Sequence, residues 1–428
     1  GSPAELIVGL SGQGLFRLHR DGSLHAWSTA ADPILARTQL LTALRLRDDA
    51  IAIGTENEGL VVIGPDGRLE RHLNRDSGLP HATVFALAED RDGGLWVSTN
   101  SGPARVNWRS AATFFDHQNS GITDAAAADF ARHRETLYYL SADGLYRLIP
   151  SDDPSRPARF ERDPHVGVQV RLTSLLSRPG GLLLASATGL QRLTPDGLEL
   201  LMPVRDGLKS LAASPADPSR IYFATDRGVG TGRFDENGTW NYEGEIPGVT
   251  GECEDVVEDA DGILWVSTVS RGVYRVTRSP DATDWSTGDA KLLTTADGLP
   301  EGHSLIFLWQ TGLGLHFDTA HGLYRYNATT TRFEADTALT AWEPRPMILN
   351  PVANGAPGEL WTNGLLTDYK TKEVPYPLLR LRHRADGTIE PLPVPNEIHA
   401  LFAGSGARRI FWEPGENGAD VVWAKGEL

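Results

Sequence analysis

The chain has 428 residues, of which 40% are hydrophobic and 22% charged, and its formal net charge is -16. That acidity argues against a nucleic-acid partner, because phosphate binding needs a basic surface. No window approaches the roughly 20 apolar residues of a membrane span, so membrane insertion by this segment is not expected. The single cysteine, Cys253, rules out an internal disulfide and a cysteine-based zinc site.

The opening GSPAEL is expected to be a cloning remnant rather than a signal peptide. Forty-five glycines and 27 prolines suit a chain that turns often. The reason for so many turns emerges along the chain, which keeps rewriting one short phrase. LIVGLSGQGLFRL begins at Leu6, IAIGTENEGLVVI at Ile51 and LWVSTNSGPARV at Leu95. LYYLSADGLYRL follows at Leu137, LLLASATGLQRL at Leu182 and IYFATDRGVGTGRF at Ile221. Then come LWVSTVSRGVYRV at Leu264, LGLHFDTAHGLYRY at Leu313 and, with an insert, the stretch from Leu360. A degenerate tenth copy starts near Arg409. Two copies are nearly identical: residues 89–107 read EDRDGGLWVSTNSGPARVN and residues 258–276 read EDADGILWVSTVSRGVYRV. The spacing of roughly 39 to 50 residues is the period of four-stranded propeller blades.

Within one copy, LWVST is apolar and β-branched, long enough for a strand and too short for a helix. A small polar turn with glycine follows, then an alternating strand such as GLYRL. Turns such as Pro65-Asp66-Gly67 and Pro195-Asp196-Gly197 lead to a third strand, and stretches such as VFALAED supply the fourth. A lone sheet of this kind cannot bury both faces, whereas sheets stacked around an axis can. The expected fold is therefore all-β: a single β-propeller of four-stranded antiparallel blades, with about nine blades. Eight or ten blades, or seven plus a fragment, are the alternatives. Residues 1–428 are expected to form one ring. A C-terminal strand around His399–Ala403 would pair with the N-terminal strands, and residues 409–428 would form an extra partial blade. Trp96, Trp265 and Trp361 occupy equivalent strand positions and are expected to pack between blades as structural core.

The units resemble the two-component regulator propeller repeat. Asp92-Gly93-Gly94-Leu95-Trp96-Val97-Ser98-Thr99 and Asp261-Gly262-Ile263-Leu264-Trp265-Val266-Ser267-Thr268 carry its first half, and Gly144-Leu145-Tyr146-Arg147 and Gly322-Leu323-Tyr324-Arg325 its second. Its inter-blade loop resembles Asp76-Ser77-Gly78-Leu79-Pro80 and Asp297-Gly298-Leu299-Pro300. The resemblance implies a periplasmic or extracellular sensor of a bacterial signalling protein, recognising a small molecule, an oligosaccharide or a protein partner, without a cofactor. A polysaccharide hydrolase or lyase, and a structural surface or assembly component, are the competing readings.

Several clusters invite chemistry. His316, Asp318 and His321 have metal-like spacing, with the first two on one strand face, yet tetrahedral zinc wants a further ligand and none is identifiable. The strand pair is instead expected to face solvent, and no metal is assigned. Glu252, Glu254, Asp255, Glu258, Asp259 and Asp261 could supply a carboxylate pair but read as a solvated face. Arg380, Arg382, His383 and Arg384 read likewise. Asp235-Glu236-Asn237-Gly238-Thr239-Trp240 reads as a turn. No catalytic residue is assigned. The candidates for ligand binding lie in loops at one rim: Asp76, His81, Asn100, Arg227, Arg271, Asp297, His303 and His321.

Overall fold

A computed structural model describes residues 6–426 apart from 92, 107, 109–121, 123–126, 142, 152–157, 168–170, 206, 280, 303–305, 320, 344–346, 369–370, 395–397, 399–406 and 415–419. Among the described residues the repeats become ten antiparallel sheets, close to the nine expected, with one four-residue α-helix, Asp32–Leu35. Seven sheets have four strands in sequential order, two have three, and the last is a hairpin. The strand expected around His399–Ala403 and the rim candidate His303 lie outside the described residues.

Two compact units divide the chain: residues 1–122 with 148–161, and residues 123–147 with 162–428. The first holds sheets one to three (6–27, 40–73 and 84–106). The second holds the inner strands of sheet four (127–162) and sheets five to ten: 172–203, 208–245, 253–293, 307–335, 347–392 and 407–426.

In the second unit the innermost strands are Ala127–His133, Leu172–Arg178, Leu208–Ala213, Cys253–Glu258, Phe307–Thr311, Met347–Asn354 and Ala407–Pro414. Each lies beside the next, and Ala407–Pro414 also lies beside Ala127–His133, where Phe411 stacks on Phe130 at 6.5 Å. These neighbours are tied by side chains. An Asp129 oxygen accepts from the Leu175 amide at 3.0 Å, and Asp255 accepts from the Leu308 amide at 3.1 Å. The Thr173 hydroxyl donates to the Leu208 carbonyl at 2.6 Å. Several inner strands carry a register shift near this end, between Ala127 and Asp129, Leu172 and Ser174, Leu208 and Leu211, and Cys253 and Asp255. Such a bulge re-aims side chains, and here it frees Asp129 and Asp255 to reach across.

Packing follows the alternation of each strand, with the apolar faces of adjacent sheets meeting. Sheets six and seven share a core of Tyr222, Ala224, Val229, Val256, Leu264, Val266 and Trp285. A hydrogen-bonded chain runs through it: Trp285 Nε1 donates to the Tyr222 hydroxyl at 2.9 Å, which donates to Glu258 at 2.9 Å. Between sheets seven and eight, Trp265 packs on Phe317, Tyr326 and Phe333, and its Nε1 donates to Asp259 at 2.7 Å. Trp361 is also buried, at 7% exposure.

Trp96 departs from expectation. It is 46% exposed, although it stands in the same LWVST phrase as Trp265, which is 3% exposed. In Leu264–Thr268 every residue is buried, because sheets flank both faces; in Leu95–Thr99 burial alternates, and only Leu95, Val97 and Thr99 are covered. Among the described residues of the first unit no aromatic cluster meets Trp96. Identical local sequence fixes the strand, and the neighbouring sheet fixes whether its second face is core.

Replacing Trp265 with Ala is expected to destabilise the protein by roughly 3–5 kcal/mol, the range for a buried aromatic. Trp96→Ala should cost about 1 kcal/mol or less, as for an exposed side chain. Equal losses in denaturant melts would contradict this difference in packing.

Candidate functional site

The repeated phrase ends in Ser or Thr, and that hydroxyl builds the rim. At the turn after the second strand, Thr225 donates to the Gly228 carbonyl at 3.0 Å and accepts from the Arg227 amide. Thr268 treats Gly272 and Arg271 in the same way, at 2.8 and 2.9 Å. Thr55, Thr99, Ser186 and Thr319 repeat the arrangement. Gly272 adopts φ 121°, and a Cβ there would collide with the Leu293 carbonyl, so a larger residue would displace the outer strand. The turns after Thr268, Thr225 and Ser186 are then bonded to segments entering inner strands: Val269 N to Glu252 O at 3.0 Å, Gly251 N to Arg227 O at 3.1 Å, and Ala187 N to Arg171 O at 3.1 Å. Turn and entry segment form one lip.

On that lip, sheets six and seven assemble a charge cluster. Lys209 sits where the inner strand of sheet six loses register. Its Nζ bonds to Glu252 and lies 3.2 Å from Asp226 and 3.7 Å from Glu254. Burial pulls the Lys209 pKa down, but the carboxylates of Glu252, Asp226 and Glu254 outweigh it and raise the net value. Three carboxylates face one ammonium, so the cluster keeps an anionic excess before its arginines are added. Arg271 donates to the Thr250 carbonyl at 3.0 Å and hydroxyl at 3.1 Å, and Arg227 is exposed one turn away. Asp255 lies just below the lip. Desolvation raises its carboxyl to about 6, against the Leu308 and Val256 amides that favour the ionised form.

Arg227 and Arg271 are thus the two sequence candidates brought together, through Gly251 and Glu252. Asp297 lies before sheet eight and closes a capping box with Thr294, with Lys291 3.5 Å away. His321 is exposed on the turn of sheet eight, its amide bonded to Thr319. Asp76, His81 and Asn100 belong to the other unit: Asp76 and Asn100 are exposed, and His81 Nδ1 accepts from the Thr83 amide at 3.1 Å. Sequence reasoning missed Lys209, since nothing in LKSLAA marks a lysine whose partners lie 17 and more residues away.

The carboxylate run 252–261 is no uniform solvated face. Glu252 and Glu254 hold Lys209, Asp255 bridges inner strands, Glu258 is buried on Tyr222, and Asp259 fixes Trp265; Asp261 alone is left to solvent and a turn. Likewise Arg380 and Arg382 both clamp the buried Glu359, at 2.6 and 2.8 Å, leaving His383 and Arg384 exposed. Asp235 accepts from the Asn237 and Thr239 amides at 2.9 and 2.8 Å, the turn expected there.

The expectation that His316 and Asp318 face solvent is corrected. They are 0% and 2% exposed, because neighbouring sheets cover both faces of their strand. His316 Nδ1 lies 3.1 Å from Asp336 and Nε2 3.1 Å from the Thr311 hydroxyl, while Arg325 closes on Asp336 at 2.9 Å. With both nitrogens occupied, His316 is a strut. No group of three metal-ligating side chains occurs among the described residues. Asp318 is poorly compensated: burial pushes its carboxyl up to about 7, and Trp309 Nε1, 3.3 Å away, opposes this weakly.

Sequential four-stranded antiparallel sheets, with inner strands in cyclic order in the second unit, define the β-propeller class. The family model described as two component regulator propeller matches residues 78–101, so the chain carries a repeat of that family. Its fold is shared by the extracellular domain of the putative hybrid two component system BT3049 from B. thetaiotaomicron. The TM-score is 0.63 at 12% identity, over 98% of this chain and 53% of that one. The corresponding domain of BT4673 from the same organism gives 0.51 at 14% identity, over 99% and 57%. The chain thus spans little more than half the length of either. No curated protein matches it.

Asp318→Asn tests the buried carboxyl. A raised folded pKa means the native state holds its proton more tightly, so stability falls as pH rises from about 4 to about 7. At about 1.4 kcal/mol per unit, the ionised form costs roughly 4 kcal/mol above that window. The variant should therefore match the parent near pH 4 and exceed it at pH 8, by denaturant melts. A constant offset across pH would refute the assignment.

Proposed function

We propose that the protein is a recognition propeller, the ligand-sensing or partner-binding portion of an extracytoplasmic bacterial signalling protein, working without bond-making. The observation that carries this reading is the lip cluster, in which Lys209, Arg227 and Arg271 interleave with Asp226, Glu252 and Glu254 on backbone fixed by the Thr225 and Thr268 hydroxyls. Exposed charges of both signs on rigid turns suit a polar ligand, or a partner, spanning two sheets. Similarity to extracellular domains of putative hybrid two component systems supports the same reading. Signalling output then requires differential affinity between two states of the attached machinery, since equal binding shifts nothing.

A thermal-shift screen against neutral and charged oligosaccharides, followed by product analysis, tests the proposal. A ligand that binds only the folded state stabilises it, by about 2.7 kcal/mol at a hundredfold excess over Kd. The expected result is a rise in Tm with the ligand recovered intact, and at least about tenfold weaker binding by Arg227→Ala, since losing one charge-assisted hydrogen bond is worth that much. Cleavage of the ligand would replace the proposal with an enzymatic one. An undiminished response in both Arg227→Ala and Lys209→Ala would remove the lip from it.

A further inference from the structure

In the second unit, at the end of the sheets opposite the lip, the turns joining first and second strands carry Asp217 in sheet six and Asp259-Ala260-Asp261 in sheet seven. Sheets four and five carry arginines there, in His133-Arg134-Glu135 and Arg178-Pro179-Gly180. These two turns enclose an open cleft of roughly 300 Å³ lined by His133, Arg134, Ser177, Arg178 and Pro179.

Neither arginine pairs with a carboxylate among the described residues. Arg178 lies over the Phe234 ring at 3.7 Å, which holds its guanidinium in place without neutralising it, and its Nε is buried with no hydrogen-bond partner. Its neighbour Arg192 is already engaged by Glu199 and the Gly238 carbonyl. Arg134 is exposed at the turn tip with φ 53°, a conformation that bulky residues occupy at a cost. Glycine would relieve that cost, yet an arginine stands there. His133 Nδ1 lies 3.2 Å from the Ser177 hydroxyl, so the cleft floor offers adaptable polar groups between two cations. Burial, then the adjacent Arg134, holds the His133 pKa below its ordinary value, and burial, then Arg192, lowers that of Arg178.

We propose that this cleft is a binding site for a sulfate or phosphate group, free or carried on a larger molecule. Its donors come from the two turns that line the cleft. Phosphate and sulfate bring more acceptor oxygens and more charge than a carboxylate, and guanidinium groups bond to such oxygens strongly. In a chain of net charge -16, two uncompensated arginines in one concavity form a local exception. The site is independent of the lip cluster and of whatever binds there.

The test uses the full 428-residue chain with sodium phosphate, sodium sulfate and sodium acetate, each against sodium chloride at equal ionic strength. Phosphate and sulfate are expected to raise Tm above the chloride baseline, and acetate is not. Arg134→Gly removes one guanidinium while easing the turn, so it should fold at least as well and bind phosphate at least about tenfold more weakly. Arg178→Gln provides the second arm and should lose the response, whereas Arg227→Ala on the lip should keep it. A response no larger than that of chloride, or one unchanged in both cleft variants, would overturn the proposal. Comparing inorganic sulfate with a sulfated monosaccharide then separates the free ion from a carried group, and tighter binding of the sugar identifies the carried form.

Discussion

The Ser or Thr hydroxyl at the end of six of the second strands is the interaction on which the lip depends. It donates to a glycine carbonyl across the turn and accepts an amide from within it, so one side chain satisfies two backbone groups that would otherwise need water. Its geometry recurs at Thr55, Thr99, Ser186, Thr225, Thr268 and Thr319, with the intervening residues left free to vary. Those free positions include Glu56, Asn100, Asp226, Arg227 and Arg271. A repeated structural bond thereby holds out a non-repeated set of side chains. The near-duplicate phrases at residues 89–107 and 258–276 are copies of that scaffold.

Bulges in the inner strands do complementary work on the concave side. Inner strands of neighbouring sheets splay apart, so backbone ladders do not join them; Asp129, Asp255 and Thr173 reach across instead. Asp255 also lies next to Glu254, which holds Lys209 on the lip. The carboxylate that fastens two sheets is therefore the sequence neighbour of one that faces outward. Lip contacts and cohesion alternate residue by residue along one strand.

Strand positions, turns and the all-β architecture were legible because they depend on local chemistry: β-branched runs, positive-φ glycines and hydroxyl-bonded turns. Burial was legible only in part. Trp96 and Trp265 share their phrase, yet what covers the second face of a strand is set by another repeat. His316 and Asp318 were placed on one face correctly, and their polarity suggested water where the fold supplies Asp336, Thr311 and Trp309 instead. Lys209 was invisible because its carboxylates come from a different turn and a different sheet. Arg134 and Arg178 escaped for the same reason: neither turn is unusual alone, and the cleft exists only where two meet.

Contact between Phe130 and Phe411 has a consequence for how the second unit folds. Every four-stranded sheet is made from consecutive strands, so its pairing closes short loops and can form early and locally. Joining the first inner strand to the last closes the longest loop in the unit, and loop entropy grows with length. The entropic cost of order is thus concentrated at a single seam. Opening there releases the most conformational freedom, so amide exchange in Ala127–His133 and Ala407–Pro414 should run ahead of that in Leu264–Thr268.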